Sequence, residues 1–176
     1  MQTIITTKPV WQTELMLEWT EVKVLDGLDL LLVASASGIR TIQFGPHPAS
    51  EGQRNAGNPL LMEAARQLQA YFDGQLREFQ LPLDVQGTDF QKRVWGQVAA
   101  IPYGETRSYL QISTALGSPR AVRAVGAANG ANPVPIVVPC HRVIGAKGSL
   151  VGYGGGLGMK KRLLELEGAI AQRLEL

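Results

Sequence analysis

The chain has 176 residues, 45% of them apolar and 18% charged, with one cysteine and two histidines. That is enough apolar side chain to bury a real core in one medium domain or two small ones. No apolar run approaches the ~18–20 residues of a membrane span. Residues 1–16 lack the basic-then-apolar order of a signal peptide, and the lone cysteine excludes an internal disulfide, which fits a reducing cytoplasm.

Cys140, His47 and His141 cannot complete a four-ligand zinc site without carboxylates, so neither a metal nor another cofactor is expected. The net charge of +2 is unevenly spread. Residues 1–86 carry 6 Lys/Arg against 10 Asp/Glu, whereas residues 87–176 carry 11 against 5. This split predicts two units, 1–86 and 87–176, with the second suited to a polyanion. Charge alone suits a solubilising surface equally well.

In chain order, residues 22–25, 28–34 and 39–44 read as strands, separated by the turn pairs Asp26-Gly27 and Ser37-Gly38, and predict a small antiparallel sheet. Residues 45–59, rich in Pro and Gly, read as a loop. Leu61, Ala64, Ala65, Leu68 and Phe72 fall at helical spacing, and Asp73-Gly74 stops that helix. Residues 79–85 read as extended and 86–88 as a linker.

The second half has a different pattern. Asp89 is the predicted cap of a helix carrying Phe90, Val94, Trp95 and Val98 on one side. Ser108 caps a short helix that Gly117 ends. Ser118 and Pro119 suit the cap and first position of the next, residues 120–128, and together these predict a helix-turn-helix. Ala, Gly and Val dominate that second helix, with Arg120 and Arg123. Small side chains allow a close approach, either to a neighbouring helix or to nucleic acid. The apolar run 136–138 predicts a strand that ends at Cys140. A glycine-rich loop, 152–156, and a helix over 159–167 follow.

A free cysteine is usually a small buried hydrophobe. Here His141 adjoins Cys140 as a base, Arg142 adds positive charge, and Glu167 could orient the imidazole, completing a nucleophile–base–orienter set. Read from the residues alone, the set suits a cysteine hydrolase as well as an alkyl acceptor. A regulator built on the helix-turn-helix is a further reading.

Residues 90–168 resemble the O6-alkylguanine-DNA alkyltransferases. The resemblance rests on Pro139-Cys140-His141-Arg142-Val143 together with Phe90-Gln91-Lys92-Arg93-Val94-Trp95, Ile101-Pro102-Tyr103-Gly104-Glu105-Thr106, Arg120-Ala121-Val122-Arg123-Ala124-Val125-Gly126, Asn132-Pro133-Val134-Pro135, Gly152-Tyr153 and Leu163-Leu164-Glu165-Leu166-Glu167-Gly168. It implies an α+β fold: a small N-terminal α/β domain with an antiparallel, ribonuclease H-like sheet, then a mostly helical domain with a winged helix-turn-helix.

The resemblance also implies the chemistry. The protein would repair DNA directly, flipping an O6-alkylguanine out of the duplex and moving its alkyl group irreversibly onto Cys140, once per molecule, with activity on O4-alkylthymine left open. Cys140 matches the acceptor, His141 the base linked to it through a water, Glu167 the histidine's anchor, and Asn132 the tie between DNA-binding helix and active site. Tyr109, Val143, Tyr153 and Gly154 match groups around the flipped base, with Gly154 standing where some relatives carry serine. Arg123 matches the arginine that enters the base stack. Arg107, Ser118, Ala124, Gly126 and again Tyr109 are the further DNA contacts. The implied partner is duplex DNA containing the lesion, bound through the minor groove, with no obligate protein partner, no membrane, and a cytoplasmic, nucleoid-associated location. The first 20 or so residues match nothing in the pattern.

Overall fold

The computed structural model describes residues 16–25, 28–45 and 51–171. The pair Asp26-Gly27, His47 and the first 15 residues lie outside these. In the N-terminal unit, β1 (Glu18–Leu25), β2 (Leu28–Ser35) and β3 (Gly38–Phe44) form the expected antiparallel meander. A two-residue strand, β4 (Gln53–Arg54), pairs parallel to β1, so the sheet order is β3-β2-β1-β4. Sequence reading placed β4 in a loop, because two exposed polar residues carry no periodic signal.

Alternate residues of β2, Leu30, Leu32 and Ala34, face the core. Against them lies α1 (Pro59–Phe72), burying Leu61, Ala64, Leu68, Tyr71 and Phe72. Asn58 caps α1 by accepting from the N–H groups of Leu60 and Leu61, and Pro59 fills the first turn, where its missing N–H costs nothing. Beyond α1 the chain runs along the outer edge of β3. The Ile39 N–H donates to Pro82 O (2.8 Å) and the Asp84 N–H to Ile39 O (2.9 Å). This is the predicted extended segment, held by a single bridge between Ile39 and Leu83. The approach is close enough that a Cβ at Gly38 would sit 2.7 Å from the Pro82 carbonyl.

The C-terminal unit begins with α2 (Asp89–Ala99). Its cap is Thr88, in a reciprocal capping box with Gln91, and Asp89 is the first helical residue. That corrects the expectation by one position; at either position an acid favours the positive end of the helix dipole. A short β5 (Arg107–Ser108) leads into α3 (Tyr109–Ala115), which Ser108 and Gln111 cap in the same way. Gly117, at φ +69°, turns the chain. A 3-10 turn, Pro119–Ala121, then precedes α4 (Val122–Gly130). Here Ser118 does not act as predicted: its side chain makes no capping bond, and the Ala121 N–H goes to its main-chain carbonyl instead.

The remaining elements are β6 (Val143–Ile144), parallel to β5, and α5 (Gly156–Leu166). Trp95 Nε1 donates to Ala128 O (2.8 Å), fastening α2 to α4. The two units share one apolar core, in which Ile39, Ile42 and Tyr71 join Val134, Ile136 and Leu163. The Ile42 N–H also donates to Pro133 O (2.8 Å), across the junction.

Candidate active site

Cys140 is positioned by an irregular segment, not by the strand end that its apolar neighbours predict. Prolines at 133, 135 and 139 remove the N–H groups a ladder would need. The Val138 N–H instead folds back to Val134 O (2.9 Å), and Ile136 adopts φ +75° while buried. A β-branched residue in that region costs of order 1–3 kcal/mol, so the surrounding contacts must hold it there. Asn132 does much of the holding: its Nδ2 donates to Val138 O (2.7 Å) and its Oδ1 accepts from the Val134 N–H (3.1 Å). Cys140 then opens a 3-10 turn, Cys140–Arg142, with its own N–H on Val138 O (2.8 Å).

That turn sends His141 and Arg142 inward toward Glu167, at the C-cap of α5. His141 is fully buried, and its Nε2 lies 2.9 Å from Glu167 Oε1. Arg142 makes a bidentate pair with the same carboxylate, Nε to Oε2 (2.8 Å) and Nη2 to Oε1 (2.9 Å), and its Nη1 donates to Ile101 O (2.6 Å). The charge of Arg142 is therefore committed to Glu167 rather than to the thiol, as its position beside Cys140 had suggested. Tyr71 of α1 donates its hydroxyl to Glu167 Oε1 as well (2.6 Å).

These contacts fix protonation. Burial pulls the Glu167 carboxyl upward, but donors from His141, Arg142 and Tyr71 outweigh it and hold it at about 2. A carboxylate accepts only, so His141 Nε2 must carry the hydrogen, leaving Nδ1 as the basic nitrogen. Nδ1 is buried with no protein partner among the described residues. Burial lowers the His141 pKa despite the Glu167 charge, so the imidazole is neutral at pH 7. Burial likewise raises the Cys140 thiol, against smaller opposing effects of Asn132 and Lys160. At rest the site thus holds a protonated thiol and, on the next residue, a neutral imidazole whose Nδ1 makes no hydrogen bond to it.

Around this centre stand Tyr109, Tyr153, Lys160 and Asn129. Burial raises the phenols of Tyr109 and Tyr153, and both feel the charge that a Cys140 thiolate would carry. The Tyr153 ring lies edge-on to His141 (centroids 6.3 Å) and against Phe44 of β3 (5.6 Å), and its buried hydroxyl has no protein partner among the described residues. Lys160 is fully buried, with Nζ donating to Val143 O (2.7 Å) and Val151 O (2.8 Å), and burial lowers it to about 8. Asn129 Nδ2 donates to Cys140 O (3.3 Å). Gly154 lies exposed on the loop at the rim.

Next to this centre, α4 turns Arg123, Ala124 and Ala127 to solvent while burying Val125, Ala128 and Asn129. Gly126 lies beside the Tyr109 ring, where a Cβ would sit 3.9 Å away. Ser118 and Arg120 are exposed on the turn before it, and Arg107 is exposed, paired loosely with Glu105 (3.5 Å).

Two family models match the chain. One, described as 6-O-methylguanine DNA methyltransferase, ribonuclease-like domain, covers residues 29–85; the other, the DNA binding domain of the same family, covers residues 89–169. This chain belongs to the 6-O-methylguanine-DNA methyltransferase family. A methylated-DNA–protein-cysteine methyltransferase of Mycobacterium tuberculosis is 62% identical over 104 residues, which is 59% of this chain and 63% of that protein, under two thirds of its length. One from Methanosarcina barkeri is 59% identical over 146 residues, 78% of this chain and 89% of the relative. A crystal structure of a Mycobacterium tuberculosis O6-methylguanine methyltransferase superposes with TM-score 0.79 at 44% identity, covering 89% of this chain and 96% of that one. A structure from the same organism in complex with DNA gives 0.77, again at 44%, covering 88% and 93%.

Within this family member, the structure brings Cys140, His141, Glu167, Asn132, Tyr109, Val143 and Tyr153 to one centre, with Gly154 on its rim. Arg107, Ser118, Arg123 and Ala124 are all exposed, the last two on α4, whose buried Asn129 bonds to Cys140 O. Sequence reading missed Tyr71, Lys160 and Asn129. Each resembles an ordinary helix residue, and Tyr71 lies 96 positions from the carboxylate it binds. The one available signal was amphipathic: Tyr71 and Lys160 fall on the apolar faces of their helices.

Proposed function

We propose that this chain is a direct DNA-repair protein that moves the alkyl group of an O6-alkylguanine in duplex DNA onto Cys140, once per molecule. The observation that carries the reading is the buried Cys140–His141–Glu167 arrangement, in which Nδ1 is the base left free for the thiol proton. His141 takes that proton, directly or through a water. The thiolate attacks the O-alkyl carbon in line, a C–S bond forms, the C–O bond breaks, and its electron pair stays on guanine, which is protonated as it leaves. Nothing in the site reverses the thioether.

A stacked base is out of reach of a buried cysteine, so the lesion is flipped out at a cost of a few kcal/mol. Residues 87–176 bind the duplex. In this reading α4 enters the minor groove with its small exposed face, Arg123 fills the stack, and Arg107, Ser118, Ala124 and Gly126 lie along the DNA. Tyr109 and Tyr153 flank the flipped base, the carbonyls of Cys140 and Val143 accept from the guanine amino group, and the Gly154 N–H approaches the guanine oxygen. Residues 1–86 form the supporting unit. The lone cysteine fits a cytoplasmic, nucleoid-associated protein, and no helix among the described residues is long and apolar enough to cross a membrane.

The test is intact-mass spectrometry after incubation with a duplex containing O6-methylguanine. The protein should gain one methyl group, about 14 Da, mapped to Cys140, with no second turnover. Cys140→Ala should keep DNA binding and lose transfer. A methyl on another residue, or many lesions repaired per molecule, would falsify the reading; repeated turnover on acyl substrates would favour a cysteine hydrolase.

A further inference from the structure

We infer that Tyr71, on helix α1 of the N-terminal unit, is a positioning residue for alkyl transfer: its hydroxyl acts through Glu167 on the His141 imidazole. The inference rests on the function proposed above and adds to it a residue from the unit that holds none of the reacting groups.

The geometry singles the hydroxyl out. Tyr71 is 0% exposed, and its oxygen lies 2.6 Å from Glu167 Oε1 and 3.5 Å from His141 Nε2. Its ring is fixed by Phe72 and Phe79 (centroids 5.4 Å each) and by Tyr103 (6.2 Å). Burial first, and the Glu167 charge second, push its phenol pKa well above the ordinary range, so it is a permanent donor. Glu167 Oε1 therefore receives three donors at once: Tyr71 O–H, His141 Nε2–H and Arg142 Nη2–H. Arg142 Nε occupies Oε2, which the Gly104 N–H also approaches (3.4 Å).

Donors sharing one carboxylate compete for its charge. Each one Glu167 accepts from Tyr71 or Arg142 weakens its pull on the Nε2 proton and so disfavours the imidazolium. That keeps His141 neutral, with Nδ1 ready for the thiol proton. The other groups facing this network are Tyr103 from the turn after α2, with Arg77 over its ring, Cys140 from the 3-10 turn, and Tyr153 and Lys160 from the loop and α5. None of them donates to Oε1 among the described residues.

The test uses the full chain and Tyr71→Phe, which keeps the ring. Single-turnover transfer from free O6-benzylguanine is followed against pH, and the His141 ring is titrated by 15N NMR. With the hydroxyl gone, Glu167 draws the imidazole proton more strongly, and the acid limb of the rate profile moves to higher pH. A half-unit shift reads as about a threefold rate loss on that limb, with rates agreeing within about twofold on the plateau above it. The NMR midpoint of His141 should rise by the same amount. Equal loss at every pH means that Tyr71 merely fills the core, and this or a downward shift overturns the inference. Phe79→Leu, at a half-buried position, loosens the same ring without removing a donor. It should give a smaller shift of the same sign, and no shift there overturns the inference if Tyr71→Phe does not fold. Failure of the unmutated protein to alkylate Cys140 would sink the proposed function instead, while the His141 titration still decides the role of Tyr71.

Discussion

Glu167 receives buried hydrogen bonds from α1 and from both residues that follow Cys140, and a longer, part-buried one from the turn after α2. Its carboxyl is held near 2 against an ordinary value of 4.5. A group depressed in this way adds stability above its unfolded pKa and loses it as pH falls through the folded one. The window is therefore pH 4.5 to about 2, and the difference amounts to roughly 3 kcal/mol. Glu167→Gln should flatten the pH dependence of the melting temperature across that window. At pH 7 it should cost about 3–5 kcal/mol, because Arg142 is left as a buried cation without its counter-charge. It should also slow transfer, since a glutamine amide can face Nε2 with either its oxygen or its NH2 and no longer fixes one His141 tautomer. Thermal melts from pH 2 to 7 check this, and an unchanged acid limb would remove Glu167 from the account of acid stability.

At the level of elements, α4 is the part whose role depends most on what lies outside the protein. Arg123 projects from its exposed face among Ala and Gly. If it fills the stack, Arg123→Ala should slow repair of duplex DNA far more than reaction with free O6-benzylguanine, because only the duplex must give up a few kcal/mol of stacking and pairing. Arg123→Lys should rescue in part, since a planar guanidinium stacks and an ammonium does not. Near-complete rescue by Lys would make Arg123 an ordinary phosphate contact, and equal losses on both substrates would tie it to the fold. The same elements show what a sequence can tell. The meander, α1 and the Ser108 cap were legible because alternation, helical spacing and capping are local patterns. Thr88 displaced Asp89 as a cap because both are good cap residues, and the capping box with Gln91 decides between them. The run 136–138 read as a strand because its apolar, β-branched residues outweighed the prolines around them. The Cys140–His141 pair was visible as neighbours in sequence, and Glu167 was suggested by chemistry and by family resemblance. Tyr71 and Lys160 were not visible, because what distinguishes them from core residues is a partner far along the chain.

For the whole molecule, the charge split now has a shape. Residues 1–86 sum to −4 and supply Tyr71 to Glu167, whereas residues 87–176 sum to +6 and include the exposed face of α4. Binding of the full chain to duplex DNA should weaken by tenfold or more, on the order of several released counterions, between roughly 50 and 200 mM salt. Arg120→Ala and Arg107→Ala should each lower the slope of log Kd against log salt by about one. Lys23→Ala and Arg66→Ala, on the acidic unit, should leave it unchanged. Matching losses from both pairs would show that DNA contacts extend over the N-terminal unit. Under the single turnover proposed above, each molecule would end as a spent product that must not seed association. On the β3 side, the edge N–H and C=O of Ile39 are already taken by the segment through Pro82, whose ring offers no donor to a further strand. On the opposite side the two-residue β4 covers β1 at Glu18 and Trp19. At these covered positions, the Ile39 bridge on one side and Glu18–Trp19 on the other, a spent copy has little free backbone with which to recruit another strand.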